Sequence, residues 1–422
     1  MNTLPTPILP PRPSRADRGF SLIELMVGLT IGLIAMLAVT VTLNTAEQQK
    51  RKVTGGAEEQ AGAAIGTYLL ERDLRMAGYG LVNNAASGLL AVCGFGTVNG
   101  FNSARLPATA TTIQYSGVAG AGYLPFTPIA INPAGIPAGD AGTDVVLINY
   151  SGSAGMVGDG AIISDDDGLG LKVSDRSGFH MGDLIMVVAL PATATCALTE
   201  VTNLPSSGEC ASSGGDSAII QQVAGNYGNY SRWLESVPRP VICPSVATTF
   251  VNDAVTGLAA GTYVSGRVFN LGPRDRLASH VYAVRSGNLT MCDMLTHDCT
   301  DAAQLTNDVF WRRLAPNVIR FSAQFNNGGV WTTAPPTDQA DWMDVTSVRF
   351  ALVSWSDFFE KDAITYSATT FPDASGNLNW AGGTMVVSGI ANWDHYRYKL
   401  IESRVVLRNL IGGKNIPEAP AP

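Results

Sequence analysis

The longest apolar run lies near the start of the chain. It extends from Phe20 to Leu43 and contains a single charged residue, Glu24. At about 1.5 Å of rise per residue, a helix of this length crosses the roughly 30 Å hydrocarbon layer of a bilayer. The run is longer than the apolar core of a secretory signal, and it passes into polar helix-forming residues instead of a small-residue cleavage site. The pattern therefore predicts a transmembrane helix.

Helical periodicity continues beyond this run to about residue 78. Apolar residues fall roughly on one face, which predicts that this face docks on a folded head. The residues of the predicted docking face are Ala61, Ile65, Tyr68, Leu69 and Met76. Glycines at positions 55, 56, 62 and 66 each lower helix stability by up to about 1 kcal/mol relative to alanine. We therefore expect a bend or a melted turn in the middle of the helix.

Strand-like segments recur in the remainder of the chain, after a stretch at 80–142 that is typical of loops and short strands. The predicted strands are 144–150, 183–190, 262–269, 280–285, 318–325, 345–354, 384–390 and 398–410. Polar and apolar residues alternate through 318–325, a pattern typical of a sheet with one buried face. The predicted class is α+β, with a long N-terminal helix packed on a large β-rich head.

This pattern predicts four segments. They are a leader at 1–19, a helix at 20–78 whose membrane-spanning part is 20–43, a head at 79–411, and a disordered tail at 412–422. The leader is rich in proline and arginine, and its positive charge is expected to keep it on the cytoplasmic side.

The formal net charge of −8 argues against a nucleic-acid partner, because such affinity comes mostly from neutralising phosphates. One concentration of basic residues lies in the last predicted strand, at Arg397, Lys399, Arg404 and Arg408. A charged strand that protects a sheet edge is the favoured interpretation. Contact with DNA or another anionic surface is the less favoured alternative.

The six cysteines contain no Cys-x-x-Cys pair, which makes a metal site the weaker interpretation. An even number of cysteines beyond a membrane segment favours disulfides in an oxidising compartment. Short loop closure favours Cys292–Cys299 and Cys196–Cys210, and Cys93–Cys243 then remains. Free thiols in a cytosolic protein stay open as an alternative.

Catalytic and cofactor motifs are missing from the sequence. It contains neither a Gly-x-Ser-x-Gly elbow nor a His-Glu-x-x-His pair. Its four histidines, His180, His280, His297 and His395, are scattered singly, and the acidic run 165–167 is more typical of a solvated turn than of a calcium loop. We expect no enzymatic activity and no cofactor or metal.

Glu24 is the residue in the apolar run that requires an explanation. A carboxylate inside a bilayer costs on the order of several kcal/mol unless a cation neutralises it. Cleavage after Gly19 would give Phe20 a free α-amino group, which could pair with Glu24 of the same or a neighbouring subunit. An anchor with an incidental glutamate is the alternative.

The residues Arg-Gly-Phe-Ser-Leu-Ile-Glu-Leu at 18–25 closely resemble the type IV prepilin cleavage and N-methylation motif. The resemblance implies that prepilin peptidase cuts between Gly19 and Phe20, that Phe20 becomes N-methylated, and that Glu24 pairs with a subunit amine during assembly. It also implies an inner-membrane protein with one transmembrane helix and a periplasmic head, which later enters a surface pilus.

Three further stretches, at 70–79, 182–202 and 396–410, resemble the PilW-type large minor pilins. This resemblance implies a structural subunit that helps initiate or cap a type IV pilus and so supports twitching motility. The implied partners are prepilin peptidase, other minor pilins, the major pilin and the inner-membrane assembly platform, with a tip adhesin as a further candidate. A type II secretion pseudopilin and a tip adhesive or sensing module remain as alternatives.

Overall fold

The structure is a computed structural model of the chain. It describes residues 21–81, 98–99, 127–151, 160–166, 170–180, 183–188, 196–201, 204, 219–221, 264–273, 276–294, 297, 299–336, 344–356, 358–364, 366–367 and 371–412. The chain divides into two structural units, Met1–Gly56 and Ala57–Pro422.

One long helix, α1, runs from Leu22 to Met76. Its part Leu22–Glu47 is long and apolar enough to cross a membrane. The helix is continuous through the glycines at 55, 56 and 62, so the expected melted turn is wrong. A loss of about 1 kcal/mol at each glycine is evidently too small to interrupt a helix of this length.

The rest of the described chain is dominated by strands, which confirms the predicted α+β class. The strands in the first half of the chain are β1 (Val98–Asn99), β2 (Ile129–Ile131), β3 (Val146–Tyr150), β4 (Ala161–Asp166), β5 (Gly170–Val173), β6 (Asp183–Val188), β7 (Cys196–Glu200) and β8 (Ile219–Gln221). Those in the second half are β9 (Arg267–Pro273), β10 (Ala278–Arg285), β11 (Asn288–Asp293), β12 (Arg312–Ala315), β13 (Val318–Asn327), β14 (Val330–Thr332), β15 (Val345–Trp355), β16 (Asn377–Trp380), β17 (Gly383–Val386) and β18 (Tyr398–Val406). A short helix, α2, follows at Arg408–Gly412, and 3-10 turns lie at Ala302–Gln304 and Trp393–His395.

Among the described residues the strands form three sheets and one hairpin. The orders are β1-β7-β6-β9-β4-β5-β8, β12-β11-β10-β3-β2 and β14-β13-β15-β18, with β16 and β17 paired separately. The β1–β7 pair is parallel, and the other described pairs are antiparallel.

The five-stranded sheet lies in the middle of the second unit. One of its faces joins the end of α1 and the four-stranded sheet in one apolar cluster, which includes Leu70, Leu74, Val284, Phe321 and Phe350. The opposite face packs against the seven-stranded sheet around Trp311 and Phe269. The β16–β17 hairpin covers part of the outer face of the four-stranded sheet.

Strand β13 shows why the alternating pattern was informative. Phe321, Ala323 and Phe325 are buried on the face that meets α1, whereas Arg320, Ser322 and Gln324 are half-buried on the other face. Period-two alternation maps directly onto the two faces of a sheet, so this prediction is confirmed for 320–325. A register shift between Val318 and Arg320 puts Val318 on the face that meets α1 and Ile319 on the outer face, so the predicted alternation is wrong at these two residues.

Some strand boundaries differ from the predicted ones. The last strand ends at Val406 and the chain turns into α2, so the prediction of a strand through residue 410 is wrong. The strand predicted at 384–390 ends at Val386, and the one predicted at 262–269 begins at Arg267. Apolar side chains in these stretches pack in turns as well as in strands, and local propensity does not distinguish the two cases.

Candidate functional site

Glu24 lies in the first turn of α1 and its side chain is exposed. The backbone N–H of Ser21 donates a hydrogen bond to Glu24 Oε2 at 3.3 Å. A carboxylate at this end of a helix also interacts favourably with the helix dipole. These contacts hold the carboxylate near the helix start but do not supply a full positive charge.

The apolar side chains around Glu24 are exposed as well. None of the membrane-length segment is buried within the protein, and Leu22 and Ile34 are 78% and 70% exposed. The hydroxyls of Thr30, Thr40 and Thr42 donate to carbonyls three or four residues earlier, which satisfies them inside the helix. The segment therefore presents a self-satisfied apolar surface suited to lipid or to other apolar helices.

Several predicted site residues lie outside the described residues. They are Gly19, Phe20, Cys93, Cys210 and Cys243, together with the tail from residue 413. Cys196 begins β7, but its side chain is not described. The pairings Cys196–Cys210 and Cys93–Cys243 therefore stay predictions.

Cys292 and Cys299 form a disulfide across seven positions of sequence. Cys292 belongs to β11, and both cysteines are fully buried beside Trp311 in the core. The bond fixes both ends of the connection that follows β11, and this connection carries His297.

The face of α1 that packs on the sheets differs from the predicted one. Its buried positions are Ala63, Gly66, Thr67, Leu70, Asp73 and Leu74. Ile65 and Tyr68 are 55% and 65% exposed, and Met76 is also exposed, so the prediction that these three residues dock on the head is wrong. Leu69 is half-buried, and the side chain of Ala61 lies outside the described residues. The buried residues follow helical spacing, but they are mainly small or polar. The prediction relied on large apolar residues and therefore selected a different face of the helix.

Gly66 lies where α1 packs against the five-stranded sheet. A Cβ added there would lie 3.0 Å from the Ala315 Cβ and 3.0 Å from Leu289 Cδ2. Such distances are shorter than ordinary packing contacts between carbon atoms. The glycine therefore allows the helix to lie directly on β11 and β12.

A buried carboxylate joins the last turns of α1 to this sheet. The side chain of Asp73 is 0% exposed. Its Oδ2 accepts from the Tyr282 hydroxyl at 2.6 Å and pairs with His280 Nδ1 at 2.6 Å. Its Oδ1 accepts from Tyr150 at 3.1 Å and from Nε and Nη2 of Arg72 at 3.1 and 3.0 Å. These five residues are called the Asp73 network below.

The electrostatics of the Asp73 network keep its carboxyl group ionised. Burial raises the pKa of Asp73, but hydrogen bonds from His280 and Tyr282 and the charges of its partners outweigh burial, and the pKa lies below its usual value. Burial, together with the carboxylate, raises the pKa of Tyr150 and Tyr282, so both hydroxyls stay protonated and donate. The network therefore ties α1 to β3 and β10 through charge-assisted hydrogen bonds.

Further contacts fix the end of α1. Asn409 Nδ2 lies 3.2–3.3 Å from the carbonyl oxygens of Arg75, Met76 and Ala77, which have no partner in the helix itself. The N–H of Gly78 donates to Asn149 O at 2.9 Å, which joins the chain after the helix to β3. The C-terminal part of α1 is therefore an integral element of the second unit.

Sequence reasoning missed Asp73 and the role of His280. A usable signal was present, because Asp73 lies three residues after Leu70 and four before Ala77, on one helix face. An acidic residue flanked by apolar residues at these spacings indicates a buried ion pair. Three of its partners, Tyr150, His280 and Tyr282, could not be identified, because they lie 77 to 209 positions away in sequence.

The basic residues near the C-terminus do not form one patch. Arg397 pairs with Glu360 at 3.1 Å, and Arg404 lies over the Trp331 ring at 5.2 Å. Arg408 belongs to α2, so its placement in the last strand is wrong. Strand β18 does lie at the edge of the described four-stranded sheet, as a charged strand that protects an edge requires.

The remaining candidates stay apart. Asp165 and Asp166 end β4, and Asp167 lies outside the described residues. The described residues contain no group of three or more histidine, cysteine or acidic side chains that could hold a metal ion. His180 is largely exposed, and His395 stacks on Phe359 with ring centroids 4.6 Å apart.

Comparison with known proteins identifies one sequence motif in this chain. Residues 14–40 match the family model described as the prokaryotic N-terminal methylation motif, so the chain carries the processing motif of type IV pilin-like proteins. A solved structure of a type IV-like pilin from Thermus thermophilus aligns at 13% identity and a TM-score of 0.20, over 32% of this chain and 70% of the other. No curated protein matches the chain.

Proposed function

We propose that this protein is a minor pilin that helps initiate or cap a type IV pilus. The observation that carries the proposal is Glu24, which stands five residues after the Gly19–Phe20 cleavage position, in the first turn of an exposed apolar helix. The match of residues 14–40 to the N-terminal methylation motif supports the same reading. The role proposed is structural, with no catalysis.

Assembly follows from the chemistry of the helix. Processing by prepilin peptidase would remove the arginine-rich leader and create an α-amino group at Phe20. That amine, on the same or a neighbouring subunit, would neutralise the Glu24 carboxylate and remove a cost of several kcal/mol in an apolar setting. The apolar surface then passes from lipid to other pilin helices, which offer a similar environment.

The size of the head supports a position at the tip or in an initiating complex. More than 300 residues follow α1, which is bulky for a subunit repeated densely along a filament. The proposed partners are prepilin peptidase, other minor pilins, the major pilin, the inner-membrane assembly platform and, at the tip, an adhesin. The protein would reside in the inner membrane with its head in the periplasm before it enters the pilus.

Mass spectrometry of the mature N-terminus tests the processing step. We expect a chain that begins with N-methylated Phe20. A mature protein that retains Met1, or one that begins after Leu43, would overturn the pilin assignment.

Two variants separate processing from assembly. Glu24→Ala should leave cleavage intact and reduce the protein in sheared pili at least tenfold, whereas Gly19→Leu should block cleavage itself. Glu47→Ala, in the same helix beyond the apolar run, is the matched control and should assemble normally. Failure of the Glu24 and Gly19 variants at one common step would contradict the separate roles.

Deletion of the gene distinguishes the neighbouring functions. Loss of pili and of twitching motility supports the proposed role, and blocked protein export with normal pili supports a secretion pseudopilin. Normal piliation with lost surface attachment would favour the adhesive alternative.

A further inference from the structure

A cavity of about 330 Å³ lies beside the Asp73 network. Its volume is near the lower end of small-molecule sites, which span about 300–1,000 Å³. Leu69 and Arg72 of α1 line one side, and residues of β10, β11 and β12 line another. All of these elements belong to the second unit of the chain.

The sheet register explains why charged groups meet in this cavity. His280 of β10 pairs with Asp293 of β11, and Met291 of β11 pairs with Arg312 of β12. Cross-strand partners point to the same face of a sheet, so these side chains share the face on which α1 packs. The cavity is therefore lined by secondary structure on two sides.

The remaining wall is braced covalently. His297 lies in the connection closed by the Cys292–Cys299 disulfide, and its N–H donates to Asp293 O at 2.9 Å. The His297 ring lies 4.8 Å from the ring of Phe310, which also lines the cavity. A wall held in this way is pre-organised, which reduces the entropy lost when a ligand binds.

Two guanidinium groups at the cavity retain donors for a ligand. Among the described residues, no side chain or carbonyl pairs with the guanidinium of Arg312. Arg72 uses Nε and Nη2 to bond Asp73, and its Nη1 remains available. His280 is fixed through Nδ1, so its Nε2 is the ring nitrogen left for the cavity.

Besides the Tyr282 side chain and the carboxylate of Asp293, the rest of the lining consists of apolar side chains. They are Leu69, Met291, Val309, Phe310 and Leu314. Val309 is 71% exposed, so part of this lining faces solvent. Apolar walls with a few convergent polar groups are the usual composition of a small-molecule site.

We propose that this cavity binds a carboxylate attached to an apolar group, either a small organic acid or the C-terminal residue of a peptide. Arg312 receives the carboxylate, since a guanidinium donates two parallel hydrogen bonds to a carboxylate, and Arg72 Nη1 adds a further donor. The apolar group contacts Phe310, Leu314 and Met291. This proposal concerns the head alone and does not depend on the function proposed above.

Isothermal titration calorimetry of the full-length chain in detergent micelles tests the proposal, with 3-phenylpropanoate as the probe and empty micelles as the blank. We expect saturable binding of the acid. 3-Phenylpropanamide, which has the same apolar group without the charge, should bind at least tenfold more weakly. Preferential binding of the amide or of 3-phenylpropylamine would overturn the proposal, as would no saturable binding of the acid.

Neighbouring arginines provide a matched pair of variants. Arg312→Ala should weaken binding of 3-phenylpropanoate at least tenfold. Arg313→Ala should not, because Arg313 is the next residue of β12 and pairs with Asp308 at 3.8 Å outside the cavity. Equal affinity in the wild type and Arg312→Ala, with unchanged circular dichroism, would refute the role of Arg312.

The tripeptide Gly-Gly-Phe distinguishes the two sources of the carboxylate. Binding comparable to that of 3-phenylpropanoate supports recognition of a peptide C-terminus. Binding of the small acid but not of the tripeptide supports a free organic acid.

Discussion

The Asp73 network makes a specific prediction about how the long helix is held on the head. Replacing Asp73 by asparagine keeps the size of the side chain but removes its charge. One acceptor oxygen also becomes an NH2 group. If the NH2 group faces Tyr282 and His280, the two donors that now lie 2.6 Å from a carboxylate oxygen face another donor and lose their acceptor. If the NH2 group faces Arg72 and Tyr150, the donors of those two residues lose their acceptor instead.

The magnitude follows from the number and burial of the bonds. Removing one partner of a buried charged network costs about 3–5 kcal/mol, since the remaining polar groups stay desolvated. Asp73 is 0% exposed, and its partners come from β3 and β10 as well as from α1 itself. We therefore expect Asp73→Asn to lower the free energy of unfolding of the second unit by about 3–5 kcal/mol. Tyr282→Phe, which removes a single donor, should cost about 1.5–3 kcal/mol.

Urea unfolding of the full-length protein in detergent, followed by tryptophan fluorescence, measures these effects. Asp308→Asn is the matched control, since Asp308 is 78% exposed and should change stability by less than about 0.5 kcal/mol. The folded pKa of Asp73 lies below 3.8, so its contribution is complete above about pH 4 and disappears as pH falls through the folded pKa. Equal stability of the wild type and Asp73→Asn at pH 7 would refute this account of the network.

Two further predictions concern the same region. Burial lowers the pKa of His297 below 6.5, so the protein should lose stability as pH falls from about 6.5. His297→Asn should reduce that loss, as measured by urea unfolding at several pH values. Gly66→Leu should lower the free energy of unfolding by about 1–3 kcal/mol, because its Cβ would lie 3.0 Å from side-chain atoms of Ala315 and Leu289. Ala64→Leu, on the exposed face of the same helix, should change the free energy of unfolding little. An unchanged pH dependence in His297→Asn, or equal stability of the two helix variants, would count against the packing described here.

The candidate sites differ in how far the sequence could predict them. Glu24 was identifiable because its significance lies in its immediate neighbours, an apolar run and a Gly-Phe pair. The Cys292–Cys299 bond was favoured for a similar reason, since a short loop closes at little entropic cost. His280 was assigned to a strand but not to a buried network, because no local pattern reveals a partner 207 positions away.

Local sequence is sufficient to predict the elements whose cause is local. Residues close together in the chain produce three such features. They are the membrane-length apolar run with one acid, the period-two alternation of β13 and the processing motif. The buried face of α1 depends on long-range packing, since Gly66 and Asp73 are favoured there by their contacts with the sheet. The residues that line the cavity also depend on long-range packing, because the pairing of β10, β11 and β12 brings His280, Asp293 and Arg312 together. Periodicity records which residues can share a surface, but the chemistry of that surface depends on the elements packed against it.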